Sequence, residues 1–518
     1  MESAMPLPIQ IEEIHFGERD ALHEYMKQDR ADVSVLDSSF VNPPRVRMEE
    51  LRTGARFYIL GPKGSGKTTL LWHLKRNAAA NKSKVILFKS DLRKEDRDQL
   101  DKMTDMIVVE DQKSFRLEAD YKTIWEWYIL KNIVRLIDVE DIVEGLETYK
   151  DIVLLLEADK TRFNTLYDKF NIESVKGKVK LNIGAGALKS EISAEVDARR
   201  TDQDRIPLLD LVRLVQSSIS KIKLLKSASI RLYFDELEFF ISEDGDGERD
   251  RRMVRDLLFS VYSINNLFSN ASLDVVVAAS VRSEILNSIT TTTQELSKLV
   301  SAFGVSLNWH NDDVDRHAVL SIFENKIRSS EVILNGNYTE DVWVTYFPPR
   351  VLGKEFKKYL LDSGMHRPRG VLLRLTSAAE LAYGRDHFKK GDFENSEQQF
   401  GELMLEEFMD EISATYDEPG RHAILSILRG KKYSFDRYDL SSRLNEGAAK
   451  NKEVKRLRDG LGVDNLLKLL FRVGLIGNHY TNDAGNVRQL WAVRGEPNPI
   501  LEESFVLHQS VRAALSTL

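Results

Sequence analysis

The stretch that decides the fold is residues 61–69, which read Gly61-Pro62-Lys63-Gly64-Ser65-Gly66-Lys67-Thr68-Thr69. It follows an apolar run at 57–60 and precedes a helix-like stretch at 70–74. In the pattern G-x-x-x-x-G-K-[ST], glycines let backbone N–H groups turn toward phosphates, and the following helix adds its positive N-terminus. The nine residues therefore predict a nucleotide-binding loop in which Lys67 reaches the β- and γ-phosphates and Thr68 holds Mg²⁺. The alternative is a glycine-rich turn without nucleotide.

The bulk properties narrow the class of protein. A length of 518 residues predicts about two to four domains. The absence of cysteine excludes disulfides and thiolate metal sites and is typical of a reducing compartment. The sequence contains neither a long apolar run nor the features of a signal peptide, so we expect a cytoplasmic protein without membrane contact. The net charge of −7 argues against a protein that coats nucleic acid.

Short apolar runs that alternate with helical patterns predict a parallel sheet of the α/β class. The predicted strands are residues 55–60, 84–88, 230–234, 273–279 and 303–307. The predicted helices between them are residues 67–80, 113–138, 206–225 and 250–268. Helix 113–138 is predicted to be amphipathic and carries tryptophans that we expect in the core. The distance along the chain between the second and third strands indicates an insertion at about residues 91–205, with a hairpin-like segment at 175–197.

The order of these patterns predicts four regions. Residues 1–54 are interpreted as a lead-in that packs on the core, because Pro43 and Pro44 interrupt regular structure there. Residues 55–311 form the nucleotide-binding core. Helices predicted at 313–327, 352–362, 369–384 and 396–414 form a helical domain at 312–414, and residues 415–518 form a third unit.

Two acidic residues follow the third predicted strand. Asp235 and Glu236 would lie at the carboxyl edge of the sheet, where parallel sheets bind their ligands. There Asp235 would bind Mg²⁺ directly or through a coordinated water, and Glu236 would orient and deprotonate the attacking water. Glu238 is a weaker candidate for the same base. A strand that ends in acids is common in proteins, so only its combination with residues 61–69 favours a catalytic role.

Phosphoryl transfer also needs positive charge at the γ-phosphate. Arg282 follows the fourth predicted strand and would reach the same edge, or it could be a surface residue that starts a helix. Arg369 lies in Arg367-Pro368-Arg369, directly before a helix that proline would start. It could report the nucleotide state to the helical domain. Three further arginines could reach a neighbouring subunit; they are Arg249, Arg251 and Arg252. A solvated charge run is the simpler interpretation of these residues.

The C-terminal region has a different charge balance. Residues 421–518 contain 16 Lys and Arg against 10 Asp and Glu, a net of +6, so the rest of the chain carries −13. Helices predicted at 422–428, 437–444 and 464–474 with a strand at 487–493 describe a winged helix, which can bind DNA. The third helix is apolar, however, and most of the excess charge comes from the preceding segment, 450–458. DNA contact through residues 421–518 and an internal or protein-binding role both stay open.

Two signatures of other nucleotide-binding classes are missing. A guanine-reading Asn-Lys-x-Asp motif does not occur, which favours adenine. A Leu-Ser-Gly-Gly-Gln signature is also absent, which argues against an ABC or chromosome-clamp ATPase. The sequence contains no pattern typical of a metal-ligand cluster or a nucleophile–His–acid triad.

The combined motifs resemble the AAA+/STAND class of P-loop ATPases. The matching parts are residues 61–69, 232–236, 275–282 and 367–369. More narrowly, the chain looks like bacterial Sll1717-type P-loop ATPases, on the evidence of Lys63 in the loop, Arg367-Pro368-Arg369 and a terminal Phe505-Val506-Leu507-His508. This resemblance spans roughly residues 10–518.

The resemblance implies an ASCE sheet of order 5-1-4-3-2, a helical lid and a C-terminal winged helix. It also implies that His508 could contact bound ADP, although a lone buried histidine is the simpler interpretation. STAND switches carry a long sensor array after the winged helix. That array is not seen here, so either a protein partner or co-encoded effector senses the signal, or the chain is closer to a stand-alone ATPase.

Three functions remain on the sequence alone. The first is an ATP-hydrolysing, Mg²⁺-dependent switch that changes its homo-oligomeric assembly between ATP and ADP, for which the resemblance implies a role in bacterial defence or stress signalling. The second is a DNA-binding ATPase similar to origin-binding initiators. The third is a nucleotide-binding scaffold with negligible turnover.

Overall fold

The computed structural model describes residues 8–28, 35–78, 82–91, 106–111, 114–119, 121–157, 178–180, 205–237, 246–290, 294–496 and 498–517. Its central element is a parallel sheet of five strands. In chain order these are β1 (Tyr58–Gly61), β2 (Ser83–Leu87), β3 (Ile230–Leu237), β4 (Val275–Arg282) and β5 (Gly304–Ser306). Their order across the sheet is β5-β1-β4-β3-β2, and every neighbouring pair is parallel. The predicted parallel α/β sheet is therefore confirmed.

Strands β3 and β4 are buried along almost their whole length because helices cover both faces of the sheet. The helices of this region are Lys67–Arg76, Phe88–Asp91, Lys122–Val134, Leu146–Glu157, Leu208–Ile219, Asp246–Asn270, Ser283–Thr290 and Gln294–Phe303. Helix Lys122–Val134 is buried around nearly its whole circumference. The prediction that it is amphipathic was therefore wrong. Trp125 and Trp127 lie in the core, as expected for large aromatic residues.

Within the described residues between 106 and 224, three two-stranded antiparallel pairs lie outside the central sheet. They are Met106–Asp111 with Ser114–Ala119, Ile142–Glu144 with Lys223–Leu224, and Lys178–Lys180 with Arg205–Pro207. Strand Ser114–Ala119 occupies residues for which a helix from 113 was predicted, so that start was wrong. Most of the hairpin-like segment 175–197 lies outside the described residues.

The N-terminal residues divide between two cores. Ile9, Ile11, Ile14 and Phe16 join the hydrophobic core of the helical region rather than that of the sheet. Farther along are helices Ala21–Gln28, Val35–Ser38 and Met48–Arg52. Tyr25 stacks on Trp72 at a centroid distance of 5.6 Å, and its hydroxyl donates to the Thr69 carbonyl oxygen at 3.2 Å. The N-terminal segment therefore contacts both the phosphate-loop helix and the helical region.

The helical region, defined here as residues 318–412, follows the last strand of the sheet. It comprises Ala318–Asn335, Val342–Tyr346, Phe356–Ser363, Pro368–Ala379, Lys390–Asn395 and Glu397–Ile412, with a short antiparallel pair Arg350–Val351 and Lys354–Glu355. The helix predicted from 313 begins at Ala318, after His317 caps it by accepting from the Val319 N–H. The helix predicted from 369 begins at Pro368, as the fixed φ of proline favours.

The C-terminal region contains one more helix than the sequence indicated. Its helices are Glu418–Leu428, Arg437–Ala448, Lys452–Gly460 and Gly462–Val473. An antiparallel sheet of order Ser434–Phe435, Ser504–Leu507, Ile476–Thr481, Val487–Leu490 completes it. The basic segment 450–458 thus lies largely in a separate helix, which ends at Gly460 just before Gly462 with φ of +75°.

Among the described residues, the helices do not reach the combination of length and apolar character that a membrane span requires.

Candidate nucleotide site

The phosphate loop leaves β1 after Gly61, and helix Lys67–Arg76 begins directly after Gly66. Gly64 and Gly66 adopt φ values of +73° and +86°, which a Cβ would strain. The Lys67 ammonium donates to the carbonyl oxygens of Gly61 and Pro62, each at 2.9 Å. Trp309 Nε1 donates to the Ser65 carbonyl oxygen at 2.8 Å. The loop is therefore held at both ends, and its N–H groups precede a helix N-terminus that favours anions.

Asp235 lies beside this loop on a β-bulge. Phe234 pairs with Ala279 and Leu237 with Val281, so β3 has one more residue than β4 across the interval. The Asp235 side chain is only 2% exposed; its Oδ1 accepts a hydrogen bond from Ser280, and the Thr68 hydroxyl approaches the same carboxyl group. Burial raises the pKa of Asp235 above its usual range, although Ser280, Thr68 and Lys67 each favour the charged form.

Glu236 occupies the other bulge position with φ of +56°, a strained conformation for a residue with a side chain. The bulge reverses the usual alternation, so the side chains of Asp235 and Glu236 both line the same cavity. Ser90, at the end of helix Phe88–Asp91, donates to Glu236 Oε2 at 2.7 Å. Sequence reasoning missed Ser90, because its only signal is its position just after β2. Glu238 lies outside the described residues.

Arg282 is the last residue of β4 and pairs in register with Gly61 of β1. Its Nη1 lies 3.7 Å from Glu284 Oε1, and the residue lines the cavity with Asp235 and Glu236. The structure therefore brings Arg282 to the predicted edge of the sheet. It belongs to the strand itself rather than to the segment after it.

Arg369 reaches the same cavity from the helical region. Its backbone N–H donates to the Gly64 carbonyl oxygen at 3.3 Å, and its Nη1 lies 3.4 Å from Glu407 Oε2. The neighbouring Arg367 donates from Nη1 to the Lys63 carbonyl oxygen at 3.4 Å and pairs with Glu411. Helix Pro368–Ala379 thus begins directly on the phosphate loop.

The cavity continues beyond the loop between the N-terminal segment and the helical region. Its apolar walls come from both sides: Phe16, Leu36 and Phe40 from the first, and Ile322, Phe323 and Leu372 from the second. A buried ion pair joins these walls, since Lys326 Nζ lies 2.6 Å from Glu24 Oε1. This pair and interactions with His15 and the Glu18 N–H lower the pKa of Glu24 to about 2 despite its burial. Sequence reasoning missed both residues, which are 302 positions apart.

Other predicted residues lie elsewhere. His508 is not among the residues that line this cavity: it is 6% exposed, packs between Trp491 and Phe408, and contacts Ser510 Oγ through Nδ1 at 2.7 Å. Burial lowers its pKa to about 3. Arg249 is buried and pairs with Asp250, and Arg251 pairs with Glu248, so the solvated charge run is wrong for Arg249.

The residues present fit a nucleotide with Mg²⁺. Asp235 Oδ2 is buried and accepts no hydrogen bond of ordinary geometry from the described residues, which leaves an oxygen for a cation beside the Thr68 hydroxyl. Within the described ranges, protein side chains by themselves form no cluster of three or more metal-ligating groups. This agrees with a Mg²⁺ ion held by one or two protein groups together with substrate phosphates.

Comparison with protein families gave two partial matches. Residues 45–183 match the ABC transporter family, and residues 319–409 match a family described as the FunZ-associated C-terminal helical domain. A comparison with curated proteins gave no significant match. The first match contains the phosphate loop and ends before Asp235. Together with the parallel sheet, it shows that this chain contains a nucleotide-binding P-loop ATPase domain.

Proposed function

We propose that this protein is an ATP-hydrolysing molecular switch in which the nucleotide state is read by the helical region. The observation that carries the proposal is the contact of Arg369 with Gly64, which joins the start of a lid helix to the phosphate loop. A shift of the loop or of the phosphates would move this helix, because backbone atoms are in contact. Such a contact suits domain movement driven by nucleotide exchange or hydrolysis.

The proposed catalytic roles follow from the side chains at the sheet edge. Thr68 and Asp235 would hold Mg²⁺, which supplies charge neutralisation at the β- and γ-phosphates. Glu236, held by Ser90, would orient a water and take its proton. Lys67, Arg282 and Arg369 would place positive charge where negative charge develops.

We propose adenine as the base. Phosphates on residues 61–69 direct the sugar and base into the remaining cavity, where apolar walls would cover a purine ring on both faces. Lys326 and Glu24 close the end of that space. The lack of the guanine-reading motif in the sequence supports the same choice.

The wider class that we propose is AAA+/STAND-like, with similarity to Sll1717-type ATPases. Its support is the sheet order β5-β1-β4-β3-β2, which corresponds to the ASCE arrangement, and the resemblance in residues 367–369. We further propose that residues 415–518 form a winged helix, supported by four helices followed by an antiparallel hairpin. A protein partner or co-encoded effector, homo-oligomerisation and a role in bacterial defence or stress signalling belong to this proposal through the resemblance alone.

The test combines binding with assembly. Titration calorimetry with Mg²⁺ should give tighter binding of ATP than of GTP, and Lys67→Ala should abolish both. Mass and shape in solution should differ between ADP and a slowly hydrolysed ATP analogue. Binding with turnover no higher than that of Lys67→Ala would favour the scaffold, and an unchanged mass and shape would count against the switch.

A second candidate function, duplex DNA binding, is favoured by helix Lys452–Gly460. It follows helix Arg437–Ala448 across a short turn, buries Val454 and Leu457, and leaves the Lys452 side chain 92% exposed. Lys455 is also exposed. Arg456 is less available, since it lies 2.7 Å from Asp417.

DNA binding predicts a specific salt dependence. Duplex affinity should fall steeply with salt, and a Lys452→Ala, Lys455→Ala double variant should reduce the slope of log K against log salt by about 2. Lys226→Ala, which removes an exposed charge outside the C-terminal region, is the control. No duplex binding at low salt would remove this candidate.

A further inference from the structure

Three carboxylates line one face of helix Glu397–Ile412. Glu407, Asp410 and Glu411 have the spacing i, i+3, i+4, which places their side chains side by side. We call them the carboxylate face. The same helix contributes Glu406, which is exposed, so negative charge as such is not confined to this side.

The carboxylate face holds cations that belong to the phosphate loop and to the lid helix. Lys63 Nζ lies 3.0 Å from Glu407 Oε1 and also contacts Asp410, and the Lys63 side chain is only 11% exposed. Arg369 pairs with Glu407, and Arg367 pairs with Glu411. Each carboxylate therefore has a cationic partner at the loop.

Two of these cations also border the nucleotide cavity. Lys63 and Arg369 line it, whereas Glu407, Asp410 and Glu411 are not among its lining residues. The two side chains thus lie between the space for the phosphates and the carboxylate face. A triphosphate would present several negative charges to the cations that the carboxylates already neutralise.

The helix that carries these carboxylates also belongs to the C-terminal core. Phe400 and Met404, one to two turns before the carboxylates, and Phe408 beside them are buried in the same hydrophobic cluster as residues of the C-terminal region. At Gly401 a Cβ would lie 2.9 Å from the Ser510 carbonyl oxygen, so the helix and that region are in close contact. Movement of the helix would therefore move the C-terminal region with it.

Space for such movement exists behind the loop. A second cavity is lined by Pro62 of the loop, Glu411 and Thr415 after the helix, and Leu469 and Arg472 of helix Gly462–Val473. Burial raises the pKa of Glu411 above its usual range, and nearby Glu284 adds to this while Arg367 opposes it. The charged form of Glu411 is therefore costly and depends on its arginine partner.

We propose that the carboxylate face is an electrostatic latch that competes with nucleotide phosphates for Lys63 and Arg369 and passes loop occupancy to the C-terminal region. The inference rests on the proposed nucleotide site. Lys63, which the phosphate-loop pattern leaves without a role, is then a positioning residue that links the loop to helix Glu397–Ile412.

The test is the double variant Glu407→Gln, Asp410→Asn, which keeps side-chain size and removes the competing charge. Calorimetry with ATP and Mg²⁺ should show about 5-fold tighter binding, because the variant no longer competes with the phosphates for Lys63 and Arg369. Hydrogen exchange of residues 397–412 should change on ATP addition in wild type and much less in the variant. Glu406→Gln, one position away on the exposed side, should match wild type in both measurements.

Three outcomes would overturn the latch. The first is unchanged ATP affinity in the double variant. The second is weaker affinity, which would mean that the carboxylates hold the loop ready for binding. The third is that hydrogen exchange of residues 397–412 in the variant still changes on ATP addition as much as in wild type. Lys63→Met gives a second check, because it should reduce the ATP effect on helix exchange while the protein stays folded by circular dichroism. If Lys67→Ala binds ATP like wild type, the nucleotide site itself is wrong, which separates that failure from failure of the latch.

Discussion

The Arg369 N–H donates to the Gly64 carbonyl oxygen at 3.3 Å, and a Cβ built on Gly64 would lie 2.8 Å from the Arg369 Cβ. The phosphate loop and helix Pro368–Ala379 are therefore packed so closely that only glycine fits at position 64. Since Gly64 also has φ of +73°, any side chain there would meet both backbone strain and a clash.

Gly64→Ala should therefore weaken ATP binding and loosen the lid helix. Gly336→Ala is the matched control, because Gly336 has φ of +68° but nothing within 4 Å of its Cβ position. Both variants should lose about 1 kcal/mol from the left-handed backbone, and Gly64→Ala should lose about 1–3 kcal/mol more from the clash. Thermal unfolding and calorimetry measure the difference. Equal effects of the two substitutions would show that the close contact is absent.

Glu236→Gln should bind ATP nearly as well as wild type and lose turnover by about 10²- to 10⁴-fold, because the amide cannot take a proton from water. Ser90→Ala should have a smaller effect, about 3- to 10-fold, since it removes one hydrogen bond that orients Glu236. A steady-state phosphate-release assay compares the two. Wild-type turnover in Glu236→Gln would assign the base to another residue.

Asp235→Asn should separate metal dependence from stability. Burial raises the carboxyl pKa in the fold, so its charged form at pH 7 opposes folding, and its replacement by a neutral amide should raise the thermal midpoint. ATP affinity with Mg²⁺ should fall about 10-fold or more, because the oxygen near Thr68 is lost. ATP affinity in EDTA should change little. A lower thermal midpoint would contradict the assigned cost of the buried charge.

His508 should make stability depend on pH. Burial lowers its pKa to about 3, so it stays neutral in the fold while the unfolded chain binds a proton below about pH 6.5. Unfolding between about pH 6.5 and pH 3 therefore takes up one proton at this residue, and stability falls as pH falls, by about 1.4 kcal/mol per pH unit.

His508→Gln should remove this contribution and make the stability profile shallower over the same window. Denaturant unfolding of the full chain at several pH values gives the slopes. His479→Gln, a substitution at an exposed histidine of the same region, is the control and should keep the wild-type slope. Parallel wild-type and His508→Gln profiles would be the contrary result.

Much of the nucleotide site was predictable because its signals are local. The loop pattern at residues 61–69 specifies its own turn and the helix that starts at Lys67. The apolar run before Asp235 predicts a buried strand whose carboxyl edge meets the loop, as parallel strands require. Helix starts were less accurate, since those predicted at residues 113 and 313 lie at Lys122 and Ala318. The basic segment 450–458 was not recognised as mainly a separate helix, Lys452–Gly460.

The sequence by itself determined the phosphate loop, the parallel sheet and the acidic pair at its edge, because short periodic patterns encode strands, helices and turns. Only the tertiary structure decided which distant residues complete the site. Arg367 meets Lys63 across 304 positions, and Lys326 meets Glu24 across 302. Such pairings depend on how whole helices pack around the sheet, and packing leaves no local pattern in the chain. The same reason explains why the bulge that brings Asp235 and Glu236 to one cavity appears only when β3 lies against β4.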